Sequence, residues 1–173
     1  MPGERDVAVT DHPDAPAAYS SRRYLRAKET VDDRALHRPT LDRLAAELSG
    51  PVEVFEVGPG VGSMLVRLLA WDCLPDEVRY TGVDANSTHV TAARRRVRAW
   101  AERAGYAVSG ASTLRLTRGT ETAVVRFETG DALARLARAD RSWDLLVGCA
   151  VLDLFDLDRA LETLLGAVAP GGL

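Results

Sequence analysis

The chain has 173 residues, enough for one domain with its own core, and its 46% apolar content is that of an ordinary globular protein. A net charge of −3 gives no general attraction to nucleic acid or anionic membranes, because binding driven by phosphate neutralisation needs a concentrated basic surface. No apolar run reaches the ~20 residues that cross a bilayer and no hydrophobic signal core opens the chain; Cys73 and Cys149 read as reduced thiols, and His12, His37 and His89 are too scattered for a zinc site, so a cytoplasmic protein with no membrane role and no metal is expected.

Residues 1–16 are rich in Pro, Ala and Asp and are expected to form a disordered lead. Residues 17–50 read as an N-terminal helical region. Its first part carries Tyr19, Tyr24, Leu25, Val31 and Leu36 among many charges, and Pro39-Thr40 then opens a helix with Leu41, Leu44, Ala45 and Leu48 on one stripe, stopped by Gly50-Pro51. The stretch that follows is the most informative. An apolar strand around Val54, Phe55, Glu56 and Val57 enters a loop, Gly58-Pro59-Gly60-Val61-Gly62, with glycine at every second position; Met64, Leu65, Leu68 and Leu69 then recur at helical spacing. A strand, a glycine loop and a helix N-terminus together form a nucleotide-binding arrangement.

Farther on, Arg79-Tyr80-Thr81-Gly82-Val83-Asp84 reads as a second strand ending in a carboxylate, roughly 20 residues past the glycines, where an acid can accept both hydroxyls of a ribose. A helix cap is the plainer role for Asp84, although Ser87 is better placed for it. The next helix buries Val90, Ala93, Val97 and Trp100, which puts most of Arg94, Arg95, Arg96 and Arg98 on a solvated face with no aromatic interleaving for bases. Thr113–Thr117 and Val124–Glu128, joined across Arg118-Gly119-Thr120-Glu121, predict a β-hairpin whose second arm is the third core strand. That strand leads into Thr129-Gly130-Asp131-Ala132, where Asp131 also suits the N-cap of a helix from Ala132 to Ala139. The run from Trp143 to Asp153 suits a strand covered on both faces, and a helix around Leu157, Leu161, Leu164 and Val168 ends in Pro170-Gly171-Gly172.

Three readings compete for the glycine loop. A phosphate-cradling loop needs lysine and then Ser or Thr at the helix start, and the chain has Gly62-Ser63-Met64. A dinucleotide fingerprint from Gly58 needs Gly or Ala where Ser63 stands. The third fits: Glu56-Val57-Gly58-Pro59-Gly60-Val61-Gly62, with the ordered matches that follow it over most of residues 52–173, resembles class I S-adenosylmethionine-dependent methyltransferases. Their cofactor carries no phosphate, so the missing lysine costs nothing.

The resemblance implies an α/β, Rossmann-like doubly wound sheet, mostly parallel, of order 3-2-1-4, with an N-terminal helical lid over residues 17–50 and the hairpin inserted beyond strand three. It places S-adenosylmethionine, and the product S-adenosylhomocysteine, against Glu56, Gly58, Gly60, Gly62, Asp84, Ala85, Asp131, Ala132, Gly148 and Cys149. Asp131 would meet the adenine amino group, and the backbone around Gly148 and Cys149 the methionine end. Tyr19, Tyr24, Lys28, Asp32, Asp33 and Arg34 are candidates for the lid, with a plain charged helix face as the alternative. Family domains continue beyond the Pro-Gly-Gly turn, so residues 51–173 are expected to be an incomplete cofactor-binding domain. Its edge strand, Asp144 to Gly148, would need a missing C-terminal segment or a second copy to cover it.

The transfer is an in-line displacement, in which alignment supplies much of the catalysis. A hydroxyl or amine acceptor would also need a base, for which His37, His89 and Asp153 are candidates, each with a structural alternative. A small-molecule acceptor is expected, and nucleic acid is not. Two other functions stay open: a cofactor-binding or regulatory module without transfer activity, and a nicotinamide-binding oxidoreductase domain, which Glu56 and Ser63 disfavour.

Overall fold

A computed structural model describes residues 33–140 and 142–173. The expected disordered lead, and Tyr19, Tyr24, Lys28 and Asp32 of the expected lid, lie outside the described residues. In chain order the elements are α1 (Arg38–Glu47), β1 (Val52–Val57), α2 (Ser63–Ala70), β2 (Glu77–Asp84), α3 (Ser87–Arg103), β3 (Ala107–Ser109), β4 (Thr113–Arg118), β5 (Glu121–Thr129), α4 (Ala132–Ala137), β6 (Leu145–Val147), a 3-10 turn (Leu152–Leu154) and α5 (Leu157–Ala167). The strands form one sheet in the order β3-β4-β5-β2-β1-β6.

The parallel part of the sheet, β5-β2-β1-β6, has the expected 3-2-1-4 order. Beyond β5 the hairpin arm β4 pairs antiparallel, as the turn at Gly119 requires. A further antiparallel strand, β3, lies outside β4 and was not expected. Its three residues, Ala107-Val108-Ser109, are too few to show an alternating pattern.

Strand alternation divides the core between the two faces. Val54, Tyr80, Leu114, Leu116 and Val125 point to one face, where Leu65 of α2 and Val90, Ala93, Val97 and Ala101 of α3 cover them. Phe55, Val57 and Val83 point to the other, against Ala132 and Leu136 of α4, Ala167 of α5 and the fully buried Trp143. Trp143 and Phe55 lie 4.9 Å apart, centroid to centroid, in a tilted pair. α1 adds a third small cluster by laying Leu41 on Met64 and Leu68 of α2, with Cys73 beside them.

Three expectations are corrected. Asn86, not Ser87, caps α3, because its side chain accepts the Thr88 N–H at 2.9 Å. α4 stops at Ala137 rather than Ala139. The apolar run 143–153 is a strand only over β6; the chain then turns at Gly148-Cys149-Ala150, with Ala150 at φ 53°. Separately, Ala167 and Leu173 meet part of the outer edge of β6 and of Trp143 before it. Trp143 N–H donates to Ala167 O at 2.9 Å, Leu173 N–H to Asp144 O at 2.9 Å, and Leu146 N–H to Leu173 O at 2.8 Å. α5 buries Ala160 and Ala167 but leaves Leu157, Leu161 and Leu165 exposed beside Leu154.

Candidate functional site

In a parallel sheet of this order the chain moves outward from β1 through β2 to β5, then returns to β6 on the other side of β1. The helices after β1 and β6 lie on opposite faces, so the loops leaving these neighbouring strands diverge and open a crevice at their carboxyl ends. The crevice is present. A cleft of about 300 Å³ is lined by Glu56, Gly58, Pro59, Gly60 and Val61 after β1, by Met64 and Arg67 of α2, by Cys149 and Ala150 after β6, and by Ala35 and Leu36 of the N-terminal segment. Its volume is at the lower end of the roughly 300–1,000 Å³ of small-molecule sites.

The loop works as a unit. Gly58, Gly60 and Gly62 all have positive φ, at 63°, 54° and 76°. Gly62 does not line the cleft. It starts α2 with its Cα pressed toward α3, where a Cβ would lie 3.3 Å from both Ala93 and Val97, so this glycine sets the packing of α2 on α3. Pro59 O accepts the Gly62 N–H at 2.8 Å, closing the turn.

Glu56 is the buried acid of the cleft. It is only 2% exposed, and the Tyr80 hydroxyl donates to its Oε2 at 2.5 Å. Burial pushes its pKa up from 4.5 to about 7; the Tyr80 hydrogen bond and the Arg67 charge pull it down, and Asp84 pushes it up. β1 and β2 pair with Val54 opposite Tyr80 and Glu56 opposite Gly82. Tyr80 reaches Glu56 across Gly82, where a Cβ would lie 2.8 Å from the tyrosine oxygen. Burial and the neighbouring Glu56 also hold the Tyr80 hydroxyl well above its usual value, so it stays protonated and donating.

Asp84 ends β2 beneath the same loop, 9% exposed. Its Oδ2 accepts the Gly60 N–H at 2.9 Å and its Oδ1 the Asn86 N–H at 2.8 Å, while His89 Nδ1 lies 3.3 Å from Oδ1. Those bonds tie the glycine loop to the β2–α3 turn. A carboxylate keeps further acceptor positions when each oxygen holds one hydrogen bond.

Of the ten residues expected around a cofactor, Glu56, Gly58, Gly60 and Cys149 line the cleft together. Ala85 and Gly148 are exposed outside it, and Asp131 caps α4 by accepting the Ala134 N–H at 3.0 Å, with Ala132 buried behind it. Neither cysteine is in a disulfide. Asp33 pairs with Arg67, whose Nε–H donates to Asp33 Oδ1 at 2.5 Å, and Arg34 is exposed. None of the three candidate bases lines the cleft. His37 occupies the N-cap position of α1 without a side-chain cap bond, its Nδ1 lying 2.8 Å from Thr40 Oγ1, and Asp153 sits on the exposed 3-10 turn. In the arginine cluster, Arg94 donates to Phe127 O at 3.1 Å and Arg98 donates to Gly110 O, so both fasten α3 to the sheet side. Sequence reasoning missed Arg67 and Tyr80. Each looks like an ordinary helix or strand residue until the β1–β2 register brings Tyr80 to Glu56 and the fold brings Arg67 to the cleft.

The fold is shared with solved structures of S-adenosylmethionine-dependent methyltransferases. Solved structures with this fold include an O-methyltransferase from Streptomyces achromogenes involved in tomaymycin synthesis, in complex with S-adenosylmethionine (16% identity, TM-score 0.54, 89% of this chain and 63% of that one). An amino pentose methyltransferase from Micromonospora echinaspora involved in calicheamicin biosynthesis, also bound to S-adenosylmethionine, matches at 15% identity and TM-score 0.51, over 90% of this chain and 55% of that one. A methyltransferase from Geobacter sulfurreducens in complex with S-adenosylhomocysteine matches at 18% identity and TM-score 0.51, over 79% and 46%. The chain spans about half the length of the structures it matches. No family model and no curated protein matches its sequence. No described helix is long and apolar enough to cross a membrane, and no group of three or more potential metal ligands occurs among the described residues.

Proposed function

We propose that this chain binds S-adenosylmethionine in the cleft at the glycine loop and serves methyl transfer to a small-molecule acceptor. The observation that carries the reading is a crevice at the carboxyl ends of β1 and β6 whose floor is a buried carboxyl, Glu56, with no lysine at the helix start to meet a phosphate. The residues fit the group. The loop lets a ligand approach the backbone at Gly58 and Gly60, Glu56 offers an acceptor to a cationic amino group, and Asp84 retains acceptor capacity for ribose hydroxyls. When bound, the cofactor supplies a methyl group on an electrophilic sulfonium.

This chain's part is to bind, orient and exclude water. Asp84 holds Gly60 and with it the loop's shape, Tyr80 orients the Glu56 carboxyl, and Leu36, Met64 and Val61 give the cleft apolar walls. Asp131 with Ala132 at the adenine, and Gly148 with Cys149 at the methionine end, complete the proposed contacts. The small-molecule acceptor is supported by neighbours whose described roles are tomaymycin and calicheamicin biosynthesis. Calorimetry with S-adenosylhomocysteine and with NAD tests the reading. Micromolar binding of S-adenosylhomocysteine without NAD binding is expected, and tight binding of NAD alone would refute it. Binding without transfer to any acceptor would favour a cofactor-binding module instead.

A further inference from the structure

The cleft holds one buried acid and one nearly buried base from its own walls, and a second acid, Asp33 of the N-terminal segment, pairs with that base from outside the lining. Glu56 and Arg67 line it, and the Arg67 side chain is 11% exposed. Arg67 lowers the pKa of Glu56, so its positive charge is felt at the cleft floor. A cation entering the cleft meets that same positive charge as repulsion. Asp33, whose side chain is 45% exposed, sits on Arg67 at 2.5 Å, just before the wall residues Ala35 and Leu36. Asp84, bonded to the cleft residue Gly60, also acts on Glu56; with Asp33 in place the four groups sum to −2 when Glu56 is ionised, and without it they sum to −1. Arg34, next in the chain, is exposed and is not part of the lining.

We propose that Asp33 is a specificity-determining residue that, by neutralising Arg67, makes the cleft one unit more negative and so favours the sulfonium cofactor over its thioether product. The inference rests on the function proposed above. Methyl transfer breaks the S–CH₃ bond, the electron pair stays on sulfur, and the ligand loses one positive charge. A site more negative by one unit therefore holds the reactant more tightly than the product, relative to the same site without the Asp33 charge. The ion pair also fixes the segment bearing Ala35 and Leu36 against α2, but that packing bears on both ligands alike. Only the charge distinguishes them.

The test is calorimetric affinity for S-adenosylmethionine and S-adenosylhomocysteine with wild type, Asp33→Asn and Asp33→Glu at pH 8, where Glu56 is ionised. Asp33→Asn is expected to weaken S-adenosylmethionine by about three- to tenfold and S-adenosylhomocysteine by less than about twofold, with Asp33→Glu restoring the wild-type ratio. Arg67→Gln, which removes the opposing charge, shifts the ratio the other way. Equal loss of both ligands in Asp33→Asn would show a packing role only and overturn the proposal, as would no change in either. If wild type binds neither ligand, the methyltransferase reading itself fails and this inference falls with it.

Discussion

Replacing Glu56 with Gln separates what the buried carboxyl costs the fold from what it gives the site. In the folded chain its pKa is about 7 against 4.5 for the free group, so the native state binds the proton more tightly than the unfolded state does. Stability from this group is therefore fully present below pH 4.5, falls as pH rises from 4.5 to about 7, and above that is lower by ~3 kcal/mol. Glu56→Gln removes that fall, and its amide oxygen still accepts the Tyr80 hydroxyl. Burying the amide N–H₂ without partners costs ~1–2 kcal/mol in return. The net gain at pH 8 is ~1–2 kcal/mol, a rise in Tm of about 2–8 °C for a chain of this size. At pH 4.5 the variant should be no more stable than wild type. Urea unfolding of both proteins from pH 4.5 to 8 measures the difference, which cancels the titration of every other carboxyl. The same variant should lose most affinity for S-adenosylhomocysteine. A stability difference that does not change with pH, or one that favours wild type as pH rises, would refute the burial argument.

Other perturbations probe the neighbours. Tyr80→Phe deletes the hydrogen bond that lowers the Glu56 pKa, so the Glu56 midpoint, followed by carbon-13 NMR of the carboxyl, should move above 7. Gly62→Ala places a Cβ at φ 76° and 3.3 Å from Ala93 and Val97, and should cost ~1–3 kcal/mol in urea unfolding; cofactor affinity of the folded fraction should stay within about twofold. Asp84→Ala removes the acceptor of the Gly60 and Asn86 N–H groups and should weaken S-adenosylhomocysteine binding by about 1.5–3 kcal/mol, with a stability loss visible in the same sample. Unchanged affinity would make Asp84 purely structural.

The parallel order β5-β2-β1-β6 and the place of the cleft were legible because glycines, apolar runs and strand-end acids are local signals that repeat in a fixed order. The hairpin was legible for the same reason, since Gly119 lies between two alternating arms. What stayed hidden depends on register and on contacts far apart in sequence. Tyr80 meets Glu56 only because β1 and β2 pair with Glu56 opposite Gly82. Arg67 meets Asp33 across 34 residues of chain. The glycines illustrate the limit within a single motif: Gly58 and Gly60 line the cleft, while Gly62, identical in pattern, faces α3. The cap on α3 was misassigned by one residue because Asn and Ser are both good caps, and only the Asn86 side chain is placed to accept the Thr88 N–H.

The position of β1 also governs how the chain can be made. It leaves the ribosome before both of its partners, β2 and β6, which lie on either side of it, and Glu53 meets Asp144 across 91 residues. At translation rates of about 5–20 residues per second, the interval between them is roughly 5–20 s. β2 reaches one edge of β1 within a few seconds; the other edge must wait for β6. The β4–β5 hairpin closes locally before that, so among the described strands the pairing that becomes available last is that of β6 with the strand that leads into the glycine loop.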